Sequence, residues 1–159
     1  MKTASVKEIK TELEGLPPAE LLRICLRLTK FKKENKELLT YLLFEANNEA
    51  EYVKSVNELL AGLFLTVNTK NLYMAKKTIR KIVRTANRYI KYSDSETTEP
   101  DILIFVCEGI NELQINLKKN TALLNLYASL LKRINKAVSA MHEDIQYDYL
   151  KVIERISLF

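Results

Sequence analysis

Glycine and proline are scarce in this chain, three of each in 159 residues, and tryptophan is absent. So few breakers leave little room for a turn-rich β-fold, and three scattered glycines assemble neither a phosphate-cradling loop nor a nucleophile elbow. Histidine is scarcer still. His142 stands alone, which excludes multi-histidine metal sites, and no Glu-x-x-His pair supports a di-iron helical bundle. The two cysteines, Cys25 and Cys107, sit among apolar neighbours (RICLRL and IFVCEG) with no CxxC spacing. They are expected to be reduced core residues rather than a metal site or a disulfide. The longest apolar runs, LLAGLFLTV and ILIFVC, are too short to cross a bilayer, and the N-terminus MKTASVKEIK lacks the apolar centre of a signal peptide. A cytoplasmic protein with no transmembrane segment is expected. No motif implies a cofactor, and no small-molecule site is evident.

What is present suits ordered helices: 47% apolar residues and 28% charged ones. The length fits a single all-α domain spanning 1–159, long enough to bury a hydrophobic core. The net charge of +5 is unevenly spread. Residues 1–93 hold 18 Lys/Arg against 10 Asp/Glu, whereas 94–159 hold 7 against 10.

Ser5 followed by Glu8 is a capping box that opens a short helix carrying Val6, Ile9, Leu13 and Leu16; Gly15 and Pro17-Pro18 end it. Pro18 opens a second helix to about Lys33 with Leu21, Leu22, Cys25 and Leu28 inward, which makes an N-terminal helical hairpin of about 5–33. Asn35 is placed to cap a third helix ending near Asn47-Asn48, and a fourth runs from about Glu49 to Thr66. A fifth spans roughly 70–92, followed by an acidic loop at about 93–100. Thr98 and Asp101 read as a second capping box for a sixth helix from about 99 to 119. The stretch Ile102 to Cys107 is apolar on every side, which marks this helix as the central one. From Leu123 to Ile156, apolar residues recur at intervals of 4-3-4-4-3-4-4-3-4. That averages about 3.67 residues per turn, the period of an undistorted straight helix. Small and polar residues between Ser139 and Asp144 mark where it would break. The expectation is an irregular bundle of six or seven helices with a long C-terminal helix.

The strongest chemical signal is KKTIRKIVRTANRYIKY, residues 76–92, with seven cations and no acid. At 100° per residue, Lys77, Arg80, Lys81, Arg84, Arg88 and Lys91 fall within an arc of about 100°. They lie opposite Leu72, Ala75, Ile79, Ile82, Ala86 and Tyr89. Like charges at i,i+3 and i,i+4 each cost a few tenths of a kcal/mol, so something should neutralise them. The internal candidates are Asp94, Glu96, Glu99 and Asp101, or Glu108, Glu112, Glu143, Asp144 and Asp148. The external ones are a phosphate backbone, an acidic protein or an anionic membrane. Tyr73 lies on the same arc and Tyr92 near its edge, where either could stack on a base.

The stretch SVKEIKTELEGLPPAELLRICLRL, about residues 5–28, resembles a SAP-type nucleic-acid motif in its leucine-bearing helix, turn and second helix. Pro17, Pro18, Ala19 and Glu20 replace that family's Gly-Lys step, and a carboxylate there repels phosphate, so a hairpin built for packing is the preferred reading. Extended to Glu45, the stretch is similar to the start of small all-helical bacterial proteins of unknown function, a likeness that implies no activity. Asp144 and Asp148 beside His142 and Tyr147 form a weak acid/base group, more simply read as solvated polar positions. The expected role is therefore non-catalytic: a helical interaction or scaffold module with a protein partner, or self-associating through the C-terminal stripe. The alternative is sequence-independent nucleic-acid binding through the basic arc.

Overall fold

The computed structural model describes residues 2–157. Among them lie eight α-helices and no strand. The helices are α1 (Val6–Glu14), α2 (Pro18–Phe31), α3 (Lys33–Thr40), α4 (Glu49–Phe64), α5 (Leu72–Ile90), α6 (Thr98–Glu112), α7 (Thr121–Val138) and α8 (Glu143–Ile156). A π-helical turn, Tyr41–Glu45, follows α3, and a 3-10 turn, Leu117–Lys119, precedes α7. Within the single stretch read above as one domain, the residues group into two compact units, one up to Phe44 and one from Glu45.

In the first unit the capping box forms as expected. Ser5 N–H donates to Glu8 Oε2 at 2.7 Å, and Ser5 Oγ accepts from the Glu8 amide at 3.3 Å. Gly15 is the C-cap of α1, and Pro18 opens α2. Asn35 does not cap α3, which starts at Lys33 after an extended Lys32. Its side-chain amide instead donates to Leu28 O at 2.8 Å, satisfying a carbonyl that the last turn of α2 leaves without a helical donor. The hairpin expected of α1 and α2 over about 5–33 is replaced by one of α2 against α3. Only Tyr41 is buried among the described residues of this unit. Cys25, expected inward, is exposed and lines a shallow groove with Leu28, Leu38, Leu39 and Leu42. Phe31 (75% exposed) and Phe44 (77%) also face outward.

The second unit is organised around α6, as its all-round apolar start implies. Helices α4, α5, α7 and α8 all pack on it, and Ile102, Leu103, Val106 and Cys107 are fully buried. Burial pushes the Cys107 thiol up to about 12, so it stays a neutral packing group. Helix α6 stops at Glu112, short of the expected 119, because the chain turns at Gln114, whose φ of 51° lies in the left-handed region. Thr98 does not cap α6. It lies inside the helix with its hydroxyl donating to Glu49 Oε1, and Ser93 Oγ donates to the same oxygen at 2.5 Å. The first residue of α4 thus ties down the loop between α5 and α6. Tyr52 repeats the pattern from one turn on, its buried hydroxyl donating to Tyr89 O at 2.8 Å.

The C-terminal stripe is two helices, not one, which brings the count to eight. Ser139 is the C-cap of α7, and His142, with extended backbone (φ −62°, ψ 144°), is the N-cap of α8. An unbroken rod would have carried the second half of the stripe away from α6; the break lets α8 pack on both α6 and α7. Tyr127 O–H pins this return by donating to Ile156 O at 2.7 Å. Most of the stripe is spent inside the unit: Leu123, Tyr127, Leu130, Ile134, Val138, Met141 and Ile156 are buried, Tyr149 and Val152 are half-buried, and Ile145 is exposed.

Candidate functional site

Helix α5 is held by its apolar side. Asn71 caps it, accepting from the Met74 amide at 3.1 Å, and Ala75, Ile79, Ile82, Val83 and Ala86 are buried. Burying that stripe leaves the basic arc no choice but the outside. Lys77, Arg80, Lys81, Arg84 and Lys91 are exposed; Arg88 is half-buried, its guanidinium 5.1 Å from the Tyr89 ring centroid.

The acids that could have neutralised this arc are engaged elsewhere or point to water. Glu99 Oε1 accepts from Arg133 Nε at 2.9 Å and Nη2 at 2.6 Å. Asp101 accepts from Tyr149 O–H at 2.6 Å, and burial raises its carboxyl above the usual range against the lowering effect of that bond. Glu108 pairs with Arg155. Asp94, Glu96, Glu112, Glu143 and Asp148 are exposed, and Asp144 lies beside His142 on α8. Among the described residues no ion pair within 4 Å involves Lys77, Arg80, Lys81, Arg84 or Lys91. Internal neutralisation by the 94–101 segment therefore does not occur at these five positions.

Beside the arc lies a groove of about 530 Å³, lined by Tyr73, Lys76, Lys77, Arg80, Val83, Arg84 and Leu126. Its origin is topological. Helices α5 and α7 both pack on α6 while making few close approaches to each other, so a furrow opens between them. One turn along α5 from Arg84, Arg133 reaches from α7 to Asn87 Oδ1 at 2.6 Å while its other nitrogens hold Glu99 at the start of α6. No acid lines it, and the sequences of α5 and α7 contain no Asp or Glu. In a partly enclosed furrow with an apolar floor, cations of one sign reinforce a positive potential instead of cancelling it.

Of the two tyrosines singled out from the sequence, only Tyr73 remains available. It is 69% exposed, with Lys76 Nζ 5.8 Å from the ring centroid. Tyr92 is buried and packs edge-on against Tyr89 at 5.7 Å. Lys76 and the α7 wall were missed from the sequence. The absence of acids from α7 was visible there, but its place beside α5 depends on both helices sharing α6. His142 Nδ1 accepts from the Asp144 amide at 3.4 Å in the open, which caps α8. Among the described residues no group of three or more His, Cys, Asp or Glu side chains is placed to hold a metal ion. No helix among them is long and apolar enough to cross a membrane. Comparison with protein-family models, with curated proteins and with solved structures gives no match.

Proposed function

We propose that this chain is a non-catalytic nucleic-acid-binding protein that holds the phosphate backbone on α5 without reading sequence. The observation that carries this reading is the set of exposed cations with no internal partner, Lys77, Arg80, Lys81, Arg84 and Lys91, with half-buried Arg88 completing the arc. Repulsion along that row costs a few tenths of a kcal/mol per pair, a cost that a bound polyanion offsets. A membrane surface is less suitable. A helix that lies in the interface buries an apolar face there, and the apolar face of α5 is already inside the fold.

The test is a fluorescence-anisotropy titration against generic oligonucleotides at low and moderate salt. With about four or five phosphates neutralised and the single-strand slope near −0.7 per contact, affinity should fall roughly 50- to 130-fold between about 50 and 200 mM salt. Binding that ignores salt would contradict the reading.

A second reading, a helical interaction module, draws on the first unit. There Leu22, Phe31, Leu43 and Phe44 are exposed in a piece too small to build a core of its own. It is the reading left standing if no oligonucleotide binds at low salt. Most of the C-terminal stripe is buried within the second unit, so self-association through it would fall to α8, where Ile145 stays exposed.

A further inference from the structure

The furrow between α5 and α7 differs from the rest of the basic arc in what lines it, and the difference bears on the form of nucleic acid. A face made only for duplex phosphate needs cations and nothing else, since the bases of a duplex are stacked away from any surface that touches its backbone. This furrow has cations along one wall (Lys76, Lys77, Arg80, Arg84), an apolar floor (Val83 and Leu126) and an exposed aromatic ring, Tyr73, among its lining residues. A single strand presents both of the matching surfaces: phosphates along one side and unstacked bases along the other. Resting on the reading that α5 holds phosphate, we propose that the α5–α7 furrow is a single-strand site, with the backbone along the α5 cations and a base stacked on Tyr73.

The geometry suits that division. Lys77, Arg80 and Arg84 follow one another at successive turns of α5, so at about 1.5 Å rise per residue a charge recurs every 5 Å or so along the wall. Tyr73 sits one turn before Lys77 on the same side of the helix, which places the ring in line with the row of charges. Arg133 is engaged by Asn87 and Glu99, so the phosphate-holding charges of the furrow are those of α5.

The experiment compares a short oligothymidylate, the corresponding oligouridylate, an abasic strand of the same length and a hairpin duplex. Each is titrated into the wild-type protein and into Tyr73→Ala and Tyr73→Phe. Tyr73 lies in the first turn of α5 with its ring in solvent, so both variants should fold, which circular dichroism checks. The expected result is that either single strand binds at least tenfold more tightly than the duplex. Removing the base or the ring should each weaken binding by about tenfold, while Tyr73→Phe binds like the wild type. Duplex binding as tight as single-strand binding, or undiminished affinity when the strand is abasic or when Tyr73 is replaced by alanine, would overturn the single-strand site and leave the phosphate reading intact. Failure of every probe to bind at low salt would overturn both.

Discussion

Replacing Lys77, Arg80 and Arg84 together by glutamate abolishes oligonucleotide binding and leaves helix content and melting temperature essentially unchanged. All three side chains are exposed, and none has an acid within ion-pair distance among the described residues, so their removal breaks nothing inside the fold. Surface changes of that kind usually move stability by no more than about 0.5 kcal/mol. Binding responds differently, because three attractions to phosphate become three repulsions. With each tenfold in Kd equal to about 1.4 kcal/mol, the loss should be on the order of a hundredfold or more. Arg88 is left out deliberately: it is half-buried and packs on Tyr89, so reversing it would confuse a folding defect with a binding defect. If the arc were neutralised within the molecule, the triple variant would instead melt early, since paired charges would become repulsive ones. Circular dichroism and an oligonucleotide titration on the same sample separate these outcomes.

Leu103→Ala has the largest expected effect on stability, about 3–5 kcal/mol. Leu103 is fully buried on α6, the helix against which α4, α5, α7 and α8 all pack. A void there cannot be filled by one neighbour without disturbing another, which puts the cost toward the upper part of the range for a buried leucine. For a chain whose total stability is of order 5–15 kcal/mol, the loss should appear as a drop in melting temperature of about 10 °C or more. The urea midpoint falls with little change in slope. A drop of only a degree or two would mean that α6 is not the centre of the second unit.

The parts of the fold that were legible are those fixed by local chemistry. Ser5 and Glu8 satisfy each other's amides within one turn, Pro18 can only open a helix, and an apolar run that covers every side of α6 has to be enclosed. The parts that were not legible depend on distant residues. Thr98 had the spacing of a cap, but Glu49, brought in by α4, takes its hydroxyl. Asn35 had the position of a cap, and the Leu28 carbonyl claimed it. The regular stripe from Leu123 to Ile156 is compatible with a rod or a hairpin, because periodicity records which residues are buried and not what buries them. The break at Ser139 to His142 is decided by the surface α6 still offers to α8.

The same division runs through the site. The basic arc was visible as spacing, and its exposure follows from the apolar stripe opposite. Whether the charges were free was a question about Glu99, Asp101 and Glu108, whose partners Arg133, Tyr149 and Arg155 all come from α7 and α8. Tyr92 illustrates the reverse: a plausible stacking residue by position, buried in fact by packing at the end of α5. The furrow has no sequence signature at all, since Leu126 and Arg80 are neighbours only through α6.

The most direct single measurement is an amide chemical-shift titration of the isotope-labelled protein with a short single-stranded oligonucleotide at low salt. The expected result is a saturable set of shifts confined to α5 from Tyr73 to Lys91 and to the facing side of α7 near Leu126, with the amides of α1, α2 and α3 unmoved. Shifts concentrated on the first unit or on α8, or no shifts at all, would contradict the claim that Lys77, Arg80, Lys81, Arg84 and Lys91 are held ready for phosphate.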